Sequence, residues 1–71
     1  MLNAAKLRGK IAEVGISITA LAAKMGIDPA TLHRKIKGKT EFSRREIQTL
    51  STELHLTVYE VKDIFFADKL A

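Results

Sequence analysis

Between Pro29 and Thr40 the chain reads Pro-Ala-Thr-Leu-His-Arg-Lys-Ile-Lys-Gly-Lys-Thr, a run whose donors and positive charges suit recognition better than bond-making. Arg34 carries a planar fork that can meet two acceptors at once, which a lysine ammonium cannot do. Ala30 is small enough to rest against a methyl group, and Thr31 and His33 can each bond to a polar partner. Lys35, Lys37 and Lys39 add point charges. From Lys24 to Arg45 there are seven basic residues (Lys24, Arg34, Lys35, Lys37, Lys39, Arg44, Arg45) against Asp28 and Glu41, so this stretch carries +5 and the rest of the chain −1. A cluster of this kind fits a polyanion partner. A soluble surface rich in lysine has the same composition.

Other chemistry is poorly provided for. There is no Cys, which excludes disulfides, thiolate chemistry and Cys-based metal sites, and His33 and His55 are too few for a metal centre. No metal and no cofactor is therefore expected. Acidic residues are scattered, no nucleophile–base pair can be placed, and no Gly-rich phosphate loop exists, so an enzyme is not expected. No apolar run approaches transmembrane length, and charges follow Met1–Leu2 where a signal peptide would continue apolar. A cytoplasmic protein without membrane association is the default expectation. With 71 residues and 46% hydrophobic content, the chain has room for a single small domain with a modest core.

The elements that must position the basic run are short helices. Asn3 caps a first helix of about 4–14, with Leu7, Ile11 and Val14 as its inward stripe and Gly15 as its end. Ser17 caps a second of about 18–25, facing inward through Leu21, Ala22 and Met25. Gly26 can take the positive φ of a turn, after which Ile27 dips toward the core. Asp28–Pro29 is a strong start signal: Asp accepts from the orphan N–H groups of the first turn, and Pro at the first position lacks only an N–H that needed no partner. The third helix runs from 29 to about 37, with Leu32 and Ile36 inward and Gly38 closing it. Two capping boxes follow: Ser43-Arg44-Arg45-Glu46 opens a helix of about 44–54 with Ile47, Leu50 and Leu54 inward, and Thr57-Val58-Tyr59-Glu60 opens one of about 58–66 with Val58, Val61, Ile64 and Phe65 as packing residues. Phe42 is placed to plug the core just before the fourth helix. The expected fold is all-α, five helices joined by short connections, with no strand and no repeat.

Helices two and three, three residues apart, form a unit whose second member can enter the major groove of double-stranded DNA. With Leu32 and Ile36 inward, periodicity sends Pro29, Ala30, His33, Arg34 and Lys37 outward or to the flanks. Arg34 matches the two major-groove acceptors of guanine, Ala30 suits a thymine methyl, and Thr31 suits a base or a phosphate. His33 is open between a base or phosphate contact and a solvated surface position. Lys35, Lys37 and Lys39, with Thr40 beside them, and Arg44 and Arg45 at the start of the fourth helix are candidates for phosphate contact, against the alternative of a solvated charged face. Ser17 and Thr19 can meet a phosphate at the start of the second helix, although Ser17 also serves as a cap. Ile18 either packs in the lead-in to that helix or touches the DNA sugar edge.

With these residues in view, the run Ser17-Ile-Thr-Ala-Leu-Ala-Ala-Lys-Met-Gly-Ile-Asp-Pro-Ala-Thr-Leu-His-Arg-Lys-Ile-Lys-Gly-Lys-Thr40, continuing through Phe42-Ser43 and Glu46-Ile47, resembles the Cro and phage-repressor family of lambda-repressor-like DNA-binding domains. The resemblance extends over roughly residues 4–66. It implies a compact five-helix domain with a helix-turn-helix at helices two and three that binds operator DNA, commonly as a two-fold dimer, to repress or occasionally activate transcription. By the same resemblance Ala30 and Arg34 fall at base-reading positions, Pro29 at the entrance of the reading helix, and Lys39 in the loop that clamps a phosphate. Ile18 stands where the family often has a phosphate-binding glutamine, and Pro29 where a polar base-contacting residue is common. Both departures shift the expected specificity toward Arg34 and its neighbours. A phage or prophage regulator of Cro type is implied, since the chain ends where the binding domain ends, and no small-molecule effector is expected.

The C-terminal end offers a second surface. Phe65 and Phe66 are hard to bury together in so small a core, so Phe66, with Tyr59 and Leu70, is a candidate homodimer seam or partner site. The alternative is that both rings fold back under the first helix. A dimer would set two reading helices about 34 Å apart, one turn of DNA. A protein-interaction or antitoxin-type regulator on the same fold, using this aromatic patch, is the alternative function.

Overall fold

The computed structural model describes residues 2–67. Five helices follow one another: α1 Ala4–Val14, α2 Ile18–Met25, α3 Pro29–Ile36, α4 Arg44–Glu53 and α5 Val58–Phe65. Among the described residues there is no strand.

Each helix begins at a side-chain cap. Asn3, Ser17, Asp28, Ser43 and Thr57 accept from the backbone N–H groups of Lys6, Ala20, Thr31, Glu46 and Glu60 respectively. At α4 and α5 the box is reciprocal, with the Glu46 and Glu60 carboxylates accepting from the Ser43 and Thr57 N–H groups at 2.8 and 2.9 Å. These caps satisfy donors that a helix start otherwise leaves orphaned. The helix ends are equally defined. At Gly26 the chain turns left-handed (φ +72°), and the Ile27 N–H reaches back to the Ala22 carbonyl at 3.1 Å. That turn leaves three residues between α2 and α3.

The core gathers Leu7, Ile11, Leu21, Ala22, Leu32, Ile36, Leu50, Leu54, Ile64 and Phe65. α3 packs on α1 and α2, α4 on α2 and α5, and α1 on α5, so α3 is backed by two helices. Ala22 is fully buried in the α2–α3 unit, where its methyl group sets a short approach between the two helices. Phe42 is half-buried and meets Phe65 edge-on at 5.6 Å between ring centres. α1 and the residue that caps it are tied to α5 as well. The Asn3 N–H donates to the Ile64 carbonyl at 2.7 Å, Lys6 pairs with Asp63 at 2.6 Å, and Lys10 with Glu60 at 2.8 Å.

Some inward assignments need correction. Val14, expected on the buried stripe of α1, and Val58, expected to pack, are both exposed, Val58 at 69%. Val14 is the last residue of its helix, and Val58 the first of its own. α3 stops at Ile36 with Lys37 as its cap, α4 at Glu53 with Leu54 as its cap, and α5 at Phe65 with Phe66 as its cap.

Candidate nucleic-acid interface

α3 buries Leu32, Lys35 and Ile36, half-buries Thr31 and turns its remaining residues to solvent. Pro29, Ala30, His33, Arg34 and Lys37 are all exposed, and so are Lys39 and Thr40 in the loop that follows. At the other edge of the unit Thr19 is exposed in the first turn of α2, and Lys24 near its end. Ser17 is exposed too, but its hydroxyl oxygen already accepts the Ala20 N–H at 3.0 Å. Ile18 is half-buried and packs against the core.

Thr31 is half-buried. Its N–H donates to the Asp28 carboxylate at 2.9 Å, its hydroxyl donates to the other Asp28 oxygen at 3.1 Å, and it accepts from the Arg34 guanidinium at 3.2 Å. The backbone N–H of Thr31, then its hydroxyl, hold the Asp28 carboxyl below the ordinary range. Asp28 therefore stays charged beside Arg34 at neutral pH.

Lys35 corrects the expectation of a phosphate contact. It is only 9% exposed and its ammonium points into the protein. There it donates to the Glu41 carbonyl at 3.0 Å, pairs with Glu46 at 3.1 Å, and lies 5.9 Å from the centre of the Phe42 ring. Burial pushes the Glu46 carboxyl up, but the Ser43 N–H and the Lys35 ammonium outweigh it, and the group ends below its usual value. The missed signal was positional: residue 35 lies three after Leu32 on a helix, hence on the same face, and Glu46 of the capping box supplies the acid. Glu41, Phe42 and Glu46 join α3 to α4 through this lysine, and none had been singled out for that role.

Arg44 and Arg45 are exposed at the start of α4. Two N–H groups at that end, those of Ser43 and Glu46, are already engaged by the capping box, and the Glu46 carboxylate sits among them. Any anion held there depends chiefly on the two guanidinium groups. Tyr59 on α5 is 80% exposed and Phe66, the cap at its end, 42%, whereas Phe65 is in the core. Of the two expected arrangements, one ring in and one ring out is the one found. Leu70 lies outside the described residues.

An exposed helix with donors on its outer face, backed by a second helix across a three-residue turn and flanked by basic side chains, is built to enter a DNA groove. The sequence profile of the Cro/C1-type HTH DNA-binding domain matches residues 6–65. The chain belongs to this family. Compared with the curated proteins and with the solved structures, it gives no significant match. As a Cro/C1-type domain it carries its helix-turn-helix on α2 and α3. Among the described residues no group of His, Asp and Glu is arranged to hold a metal ion, and no helix is long and apolar enough to cross a membrane.

Proposed function

We propose that this Cro/C1-type domain is a small transcriptional repressor of Cro type, from a phage or prophage, that binds operator DNA as a homodimer with α3 in the major groove. The observation that carries the reading is the outer face of α3, where Ala30, His33 and Arg34 are all exposed while Leu32 and Ile36 hold the helix to the core. Arg34 reads a guanine, Ala30 contacts a thymine methyl, and His33 lies within the same face. Lys37, Lys39, Thr40, Arg44 and Arg45 meet phosphates on one side of the groove, and Ser17 and Thr19 do so on the other. Selection of bound duplexes from random DNA, run with Arg34→Ala in parallel, tests this. The expected result is an inverted-repeat site whose preference at one base pair per half-site disappears in the variant. Unchanged preference and affinity in Arg34→Ala would overturn the groove assignment.

The aromatic surface of α5 favours association. Tyr59 lies in the first turn of α5 and Phe66 is the cap that closes it, and both are exposed. Phe66 also borders a groove of about 540 Å³ whose apolar lining includes Leu2, Phe42 and Phe65. A second copy of the chain is the partner this reading takes. The same exposed patch supports the alternative of a protein-binding, antitoxin-type regulator.

A further inference from the structure

Arg34 is not a free side chain on the outer face of α3. Its guanidinium donates to the Thr31 hydroxyl at 3.2 Å, and that hydroxyl in turn donates to Asp28 at 3.1 Å. Residues 28, 31 and 34 are three apart, so the three groups line up along one strip of the helix. Each link limits the next. The Asp28 carboxylate is fixed by capping the Thr31 N–H at 2.9 Å. The threonine side chain, stiff at its branched carbon, is then oriented by its own bond to Asp28. Its oxygen lone pair faces Arg34.

We propose that Thr31 is a positioning residue for base reading and not itself a reader: with Asp28 it holds the Arg34 guanidinium in place before DNA arrives. Its hydroxyl proton is committed to Asp28 and one of its lone pairs to Arg34, which leaves it little to offer a base. One of the five guanidinium donors is used in the brace, and the rest of the fork stays available for a two-pronged contact to guanine. A side chain already ordered loses less freedom on binding, so the brace strengthens the contact that discriminates without adding a contact of its own. The charge of Asp28 also opposes phosphate at the start of α3, favouring a register in which this end faces bases.

This proposal rests on the groove reading above, and the test separates the two. The probes are the duplex selected from random DNA and the same duplex with the guanine pair opposite Arg34 exchanged, each measured across a salt series. Thr31→Val keeps the side-chain shape and the Asp28 cap on the backbone while removing the hydroxyl. It is expected to reduce discrimination between the two duplexes about tenfold and leave the salt slope unchanged. Thr31→Ser restores the oxygen and is expected to discriminate as the parent does. Asp28→Asn keeps the cap and removes the charge, and is expected to show a smaller loss of the same kind. In an Arg34→Ala background, Thr31→Val is expected to have no further effect. Should Arg34→Ala lose discrimination while Thr31→Val keeps it, the brace is wrong and the groove reading stands. An equal loss from Thr31→Val with and without Arg34 also overturns the brace. If Arg34→Ala itself discriminates normally, both fall.

Discussion

Four lysines between positions 24 and 39 have the same formal charge and two different occupations. Lys24, Lys37 and Lys39 are exposed, while the Lys35 ammonium is turned inward to Glu46 and the Glu41 carbonyl. Salt dependence distinguishes them, because only a cation that neutralises a phosphate releases counterions. Lys37→Ala and Lys39→Ala are each expected to flatten the plot of log affinity against log salt by about 0.9 on a single half-site, and by about twice that for a homodimer on the two-fold site. Lys35→Ala is expected to leave that slope intact and instead destabilise the fold by about 1–2 kcal/mol, since it strands a half-buried carboxylate and a backbone carbonyl. Filter binding at several salt concentrations and a thermal melt of each variant check both halves. Sequence composition counted these lysines alike; their difference lies in which of them the helix turns toward α4.

Helix ends are the next level, and here most of the structure was legible beforehand. Asn3, Ser17, Asp28, Ser43 and Thr57 announce the five starts because a short polar side chain can reach its own first turn without tertiary help. Two consequences follow from how the ends are built. At the end of α4 the left-handed position that a glycine would favour is taken by His55 (φ +54°), with the Leu56 N–H returning to the Ser51 carbonyl at 2.9 Å. His55→Gly relieves that conformation and is expected to stabilise the domain by about 0.5–1 kcal/mol after the entropy of glycine is counted. A melting temperature a few degrees higher would show it. The caps also make the protein acid-sensitive. Asp28 is held low first by the Thr31 N–H, Glu60 first by the Lys10 ammonium, and Glu46 by Ser43 and Lys35 against the opposing effect of burial. All three fall below their ordinary values of 3.8 and 4.5, so the unfolded chain binds more protons in that range and stability rises with pH there. Their contribution is complete above the ordinary values and is lost as the pH falls through the lower, folded ones. Melting temperatures are expected to be level from neutrality to about pH 5 and to drop below about pH 4, with a shallower drop in Glu46→Gln.

For the molecule as a whole, the question is what the α5 surface does when α3 is on DNA. Tyr59 and Phe66 are outside the core, so replacing them need not disturb folding. Phe66→Lys is expected to melt close to the parent and to be monomeric by sedimentation equilibrium, where the parent is expected to form dimers. It should also bind a full two-fold site much more weakly than the parent while binding a single half-site equally well. A parent chain that remains monomeric both free and on the two-fold site would remove the homodimer from the proposal.

What the sequence by itself determined was local and periodic. Caps, turn glycines and the i,i+4 pair Leu32–Ile36 are each settled within one or two helical turns, and they suffice to define the five helices and the outward face of α3. The tertiary structure decided what depends on a neighbour across space. Lys35 meets Glu46 only because α4 packs near the end of α3, and Phe65 rather than Phe66 enters the core because Phe42 is there to meet it edge-on. Val14 and Val58, at the ends of their helices, are left outside. A side chain's periodicity states which way it points; whether something stands there to receive it is a property of the packed whole.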